Sequence, residues 1–100
     1  MMWYSAAVFF SHDRNEQASL WEEQVMLIEA ESDEQAGYLA EEIARKGEHE
    51  FETSNGLVRV HFRRVERVQL IESDTLDNGT ILFHRFLRTT EAESLLTPFE

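Results

Sequence analysis

Residues 48–62 read EHEFETSNGLVRVHF, with two histidines and three carboxylates in fifteen positions. That density of ligand-type side chains fits either a metal or acid–base site or the charge pattern of a β-hairpin. Asn55-Gly56 favours the hairpin, because both residues tolerate the positive φ of a two-residue turn. A turn there sets Ser54 opposite Leu57 and predicts the rungs Glu52–Arg59, Glu50–His61 and Glu48–Arg63 on one face. The other face then pairs Thr53–Val58, Phe51–Val60 and His49–Phe62, with Phe51 and Val60 as buried neighbours. Charges meet opposite charges and apolar residues fall together. The stretch therefore reads as strands 48–53 and 57–71 carrying a solvated charge ladder. His49 and His61 point to opposite faces, so they cannot share one ion, and no metal and no cofactor is expected.

Working outward from the hairpin, Ser32 and Gln35 form a capping box, and Asp33 and Glu34 suit the first turn of a helix. Ala36, Leu39, Ala40 and Ile43 recur at helical spacing. Arg45 and Lys46 fit the last turn, and Gly47 suits a left-handed cap. These signals predict a helix over 33–46. Residues 3–11 (WYSAAVFFS) and 20–30 (LWEEQVMLIEA) read as strands apolar on both parities, joined by a polar loop at 12–17. TILFHRFL, 80–87, reads as a fifth strand, and TEAESLL in the tail as a short helix ended by Pro98. The fold class is α+β: a mainly antiparallel sheet of about five strands with one helix on one face, in the order β-β-α-β-β-β. Residues 1–88 form one domain and 89–100 a tail.

The net charge is −11 and there is no cysteine. The acids are concentrated: Glu16–Glu52 carries −10, whereas Leu57–Arg88 carries +2. Such a chain is expected to avoid nucleic acid. MMWYSAAVFF lacks the basic start and cleavage site of a signal peptide, and no apolar run is long enough for a membrane span. A cytoplasmic protein is expected.

Candidate site residues are few. Arg59, Arg63, Arg64 and Arg67 form a basic stripe on one strand, with Trp21, Glu22, His61 and His84 as further ligand-binding candidates. Tryptophan on a strand is expected to pack. Glu22 and Glu23 are strand neighbours on opposite faces, so they form no catalytic carboxylate pair. Asp74, Asp77 and Asn78 lack calcium-loop spacing and suit a turn. No catalytic residue is assigned.

Trp3-Tyr4-Ser5-Ala6, Leu20-Trp21-Glu22-Glu23, Leu27–Ser32, Gly56, Phe62, Leu76-Asp77-Asn78-Gly79-Thr80 and Arg85-Phe86-Leu87 together resemble the bacterial domain of unknown function 4288 family, over roughly residues 3–87. Asn78 departs from the simpler Asp-Gly of the family's loop, and His84 stands where serine is usual. The resemblance implies a compact bacterial domain in which Trp3, Trp21 and Glu22 stand out, and it brings no known function or catalytic residue. Size, acidity and the lack of catalytic motifs point to a non-enzymatic protein-interaction module, such as an inhibitor, immunity-type protein or accessory subunit. The alternative is a small-molecule or anion binder, possibly enzymatic, using the arginine stripe. Apolar side chains on both parities of the strands require cover on both faces, and one helix supplies one. A homodimer through the sheet face is therefore expected, with Leu95, Leu96 and Phe99 of the tail covering part of that face at most.

Overall fold

The structure is a computed structural model that describes residues 1–96. It contains β1 (Met2–Arg14), β2 (Gln17–Ala30), α1 (Asp33–Lys46), β3 (His49–Thr53), β4 (Gly56–Leu70) and α2 (Thr89–Leu96). The four strands form one antiparallel sheet in the order β2-β1-β4-β3. Pro98 and Phe99 lie outside the described residues.

α1 starts and ends where its local signals place it. Ser32 Oγ accepts the Gln35 amide at 3.1 Å, and Gln35 Oε1 accepts the Glu31 amide at 2.7 Å. Gly47 closes the helix in right-handed geometry, at φ −86°, not in the expected left-handed one. Ala36, Ala40 and Ala44 are buried, whereas Ile43 is exposed. Three alanines on the inner stripe let the helix lie close to the sheet. Its ceiling covers Tyr4, Ala6, Val8 and Phe10 of β1, Ile28 and Ala30 of β2, and Val60 and Phe62 of β4.

The turn between β1 and β2 is the left-handed one. Arg14 pairs with Gln17, and Asn15 and Glu16 lie at φ +53° and +64°. That geometry matches the twist of the flanking strands and extends both beyond the expected limits. Glutamate is poorly suited to positive φ, a conformation costing most side chains about 1–2 kcal/mol. Glu16→Gly is therefore expected to stabilise the chain by about 1 kcal/mol and raise its melting midpoint by roughly 4–8 °C. An unchanged or lower midpoint in a thermal melt would contradict the strained turn.

At the other hairpin the turn lies at Ser54-Asn55, and Thr53 pairs with Gly56. Only Gly56 of these turn residues has positive φ, at +113°. Thr53 Oγ1 accepts the Asn55 amide at 3.2 Å and donates to the Gly56 carbonyl at 2.8 Å. The side chain and the single glycine thus select a different turn from the expected one. Moving a two-residue turn by one position changes each partner by two residues, so every side chain keeps its face. The ladder is reassigned: Glu50 pairs with Arg59 at 2.6 Å, and Phe51 faces Val58. The expected Glu50–His61, Glu52–Arg59, Glu48–Arg63 and Phe51–Val60 pairs do not form. Phe51 is 40% exposed, not buried, because α1 covers β1, β2 and β4 and stops short of β3.

The fifth strand is also absent. Residues 71–88 adopt no regular structure. The Gln69 side chain takes up the backbone of His84, accepting its amide at 2.9 Å and donating to its carbonyl at 3.2 Å. Arg67 lies over the Phe83 ring at 4.2 Å, and Leu76 and Leu82 line a depression with Leu27. Gln69, Arg67 and Leu27 all stand on the face opposite the helix, opposite Ser5 or Ala7 of β1. Residues 76–84 therefore cross that face as a strap, and Ser5 and Ala7 are buried as a result. The strap covers only one end.

Candidate binding face

The uncovered end of this open face is built by three residues of β1 and their partners. Alternation along β1 turns Phe9, Ser11 and Asp13 away from the helix. Phe9 pairs with Glu23 and Arg64, Ser11 with Trp21 and His61, and Asp13 with Arg59. β4 carries two register shifts against β1, which leave Arg63 and Glu66 as unpaired extra residues. Such bulges re-aim side chains. In a regular strand Arg63 and Arg64 would point to opposite faces. Here both reach the open one.

Arg63 is the centre of the polar cluster. Its Nε donates to Ser11 Oγ at 2.6 Å and a terminal nitrogen donates to Asp13 Oδ2 at 3.0 Å. Its guanidinium also lies 5.8 Å from the centre of the Trp21 ring, within the range of a cation–π contact. Asp13 is 8% exposed and Ser11 fully buried. Hydrogen bonding from Ser11 is the main influence holding the Asp13 carboxyl below its ordinary pKa, with Arg63 and His61 assisting against the opposing effect of burial. Asp13 Oδ1 is buried without a hydrogen-bond partner among the described residues. His61 sits between two acids, 3.8 Å from Asp13 and 3.7 Å from Glu48. Glu48 also accepts the Phe62 amide at 3.0 Å, capping β4 where β3 has not yet begun.

Trp21 is 57% exposed, so it is a surface residue and not the core residue expected of a strand tryptophan. Trp21 lies opposite Ser11 on the edge strand β2, on the face turned away from the helix and beyond the end of the strap. Trp21, Phe9 and Arg64 line a depression of about 370 Å³. Each stripe arginine has a carboxylate partner: Arg59 with Glu50, Arg63 with Asp13, Arg64 with Glu66 at 2.7 Å and Arg67 with Glu23 at 3.0 Å.

Of the candidates from the sequence, the structure gathers Trp21, His61, Arg63 and Arg64 at one end of the open face. Arg67 stands between them and the strap. Glu22 faces the helix side, bound to His12 Nε2 at 2.8 Å and to the Gln24 amide at 2.8 Å. These two bonds, the Gln24 one foremost, lower its pKa. His84 lies on the strap with its ring against Phe86, not in a fifth strand and not in the cluster. Phe9, Ser11 and Asp13 were missed as site residues. Asp13 falls within the loop expected at 12–17, and only the Asn15-Glu16 turn extends β1 far enough to place it. Among the described residues no group of three or more histidines and carboxylates is arranged to hold a metal, and no helix is long and apolar enough to cross a membrane.

The family described as a domain of unknown function (DUF4288) matches residues 3–84. The chain belongs to this family. The match spans the four strands, α1 and the strap as far as His84, so the DUF4288 portion includes the whole candidate face. Arg85-Phe86-Leu87, part of the resemblance drawn from the sequence, and α2 lie beyond the match. No curated protein and no solved structure matches the chain.

Proposed function

We propose that this protein is a non-enzymatic interaction module that grips a protein partner with the uncovered end of its open sheet face. The observation that carries the reading is an exposed Trp21 beside Arg63 and Arg64 on that face, in a chain with more surface than a compact monomer. The chain exposes 7640 Å², about 1,800 Å² more than a compact monomer of 11.7 kDa is expected to show. Its radius of gyration is 16.2 Å, against about 13 Å for a compact 100-residue domain. Trp21, Arg63 and Arg64 stand together on that surface, and tryptophan and arginine are the side chains most enriched among binding hot spots. In this reading the protein serves in a bacterial cytoplasm as an inhibitor, immunity-type protein or accessory subunit, without nucleic acid or membrane.

A second reading, an anion or small-molecule binder, draws on the apolar depression beside Arg64. It is weaker. Every stripe arginine already holds a carboxylate, so an anion would have to displace one.

Capture from a lysate of the native host, with the full chain immobilised, tests the proposal. The control is Trp21→Ala/Arg64→Glu, which is expected to keep the fold because both side chains are exposed. A partner retained by the wild type and lost by at least tenfold with the variant is expected. Equal recovery by both would sink the reading.

A further inference from the structure

The two edges of the sheet are built differently. β3 is five residues long and pairs only with Gly56–Val60. Beyond it, the outer side of β4 is broken by the bulges at Arg63 and Glu66, carries Arg64 and Arg67, and has its Phe62 amide capped by Glu48. Short strands, bulges and charges are the devices that keep an edge from pairing with another chain. β2 lacks them over most of its length. From Leu20 to Ala30 it runs against β1 without a break. Gln24–Ile28 are uncharged, and the two glutamates before them are tied into their own sheet, Glu22 to His12 at 2.8 Å and Glu23 to Arg67 at 3.0 Å.

The backbone of this edge is set for another strand. Ile71 donates to the Trp3 carbonyl on the β4 side, so the odd residues of β1 bond towards β4 and the even ones towards β2. Their partners Glu22, Gln24, Met26 and Ile28 therefore bond inward, and Trp21, Glu23, Val25, Leu27 and Glu29 direct N–H and C=O outward. Among the described residues nothing bonds to these outward groups, and the next outward amide, that of Glu31, is held by Gln35.

Both covering layers favour the same end of β2. On one face α1 buries Ile28 and Ala30 and leaves Leu20 61% exposed; on the other the strap stands over Leu27 and leaves Trp21 57% exposed. We infer that two copies join β2 to β2, antiparallel across a twofold axis, so that their four-stranded sheets run on as one. Such an isologous pair lays the covered end of each strand beside the bare end of the other, on both faces at once. Charge narrows the register, because like charges directly opposite are destabilising. Pairing Glu22 or Glu23 with its own copy, or Glu23 with Glu29, is thereby disfavoured. Centring the pair on Gln24 or on Val25 avoids all three. Only Gln24 also sets Trp21 beside the partner's Leu27 and Leu20 beside the partner's Ile28. A foreign strand would satisfy the edge backbone alone. A second copy also brings the missing cover.

In sedimentation at about 100 μM, a range that captures micromolar dimers, the full chain is expected at twice 11.7 kDa. Val25→Pro removes an outward N–H and leaves the β1 ladder whole, since an edge strand tolerates proline where the N–H faces away from the sheet. This variant is expected at 11.7 kDa with its far-ultraviolet sheet signal intact. Gln24 would face its own copy in a non-hydrogen-bonded pair, with Cα atoms about 4.5 Å apart and within disulfide range. The chain has no cysteine, so Gln24→Cys is expected to oxidise to a covalent dimer, whereas Tyr38→Cys, exposed on the outer side of α1, is not. The cross-link decides the matter even where Val25→Pro fails to fold. A monomeric wild type overturns the inference. So does a dimer that a folded Val25→Pro chain retains, or one in which Gln24→Cys links no faster than Tyr38→Cys. The inference goes beyond the proposed function and fails separately. A monomer that still captures its partner through Trp21 and Arg64 removes only the pairing. A cross-linked dimer, with equal lysate recovery by wild type and Trp21→Ala/Arg64→Glu, removes only the foreign partner.

Discussion

Phe10→Ala is expected to cost about 3–5 kcal/mol, the usual range for deleting a buried aromatic ring. Phe10 is 2% exposed and meets Phe62 edge to face with ring centres 6.1 Å apart. It lies under the C-terminal end of α1, where the buried helix residue is Ala44. Alanine is too short to follow a lost ring into the gap, so the cavity persists. Small domains are stable by only about 5–15 kcal/mol, and this change should remove a large share of that. Phe51→Ala provides the contrast. Phe51 is half-exposed beyond the helix and touches the rings of His12 and His49, so its loss is expected to cost about 1 kcal/mol or less. Denaturant midpoints of the two variants would decide. Equal losses would mean that the hairpin end is buried after all.

Arg63→Met should produce the second large loss, about 2–3 kcal/mol near neutral pH. The figure lies between an exposed ion pair, worth roughly 0–1 kcal/mol, and a buried pair broken on one side, which costs roughly 3–5 kcal/mol. The two side chains themselves are 42% and 9% exposed. The loss arises mainly on Asp13, whose second oxygen would join the first in burial without a partner from Arg63. Removing the charge as well should therefore recover much of the loss, so Asp13→Asn/Arg63→Met is expected to be more stable than Arg63→Met alone. The pH dependence has a definite sign. Folding lowers the Asp13 pKa from its ordinary 3.8, so its stabilising contribution is present above that value. That contribution is lost as pH falls through the lowered folded value. The gap between wild type and Arg63→Met should thus be widest above about pH 4 and narrow in stronger acid. A gap constant down to pH 2 would show that the arginine stabilises by packing on Trp21 and not through Asp13.

The parts of this protein legible in the sequence are those governed by neighbours a few residues apart. Ser32, Gln35, the alanine spacing and the basic last turn bound α1 residue for residue, because capping and periodicity act within a single helix. The parity of the 48–62 hairpin was legible too. Glu50 and Arg59 share one face, and Phe51 and Val58 share the other, since alternation survives a turn displaced by one position. The exact register was not legible, because Thr53 and Gly56 support a turn that competes with the one expected of Asn55-Gly56.

What only the tertiary structure decided depends on groups far apart in the chain. Two bulges in β4, settled by its fit against β1, bring Arg63 and Arg64 to one face, and nothing local in Phe62-Arg63-Arg64 announces that. Trp21 looks like a core residue until β2 proves to be an edge strand and the strap stops short of it on the open face. TILFHRFL has the composition of a strand, but a strand needs a free edge to pair with. Ile71 is tied to the Trp3 carbonyl at 2.9 Å, and the Gln69 side chain then holds the backbone of His84. The segment therefore lies across the sheet and not in it, and the covered and bare ends of the open face follow from where that strap stops. Local sequence determines which elements form and which way their side chains point. Which of those faces remains available for binding is set by long-range packing, because burial is a property of neighbours that the chain brings together only on folding.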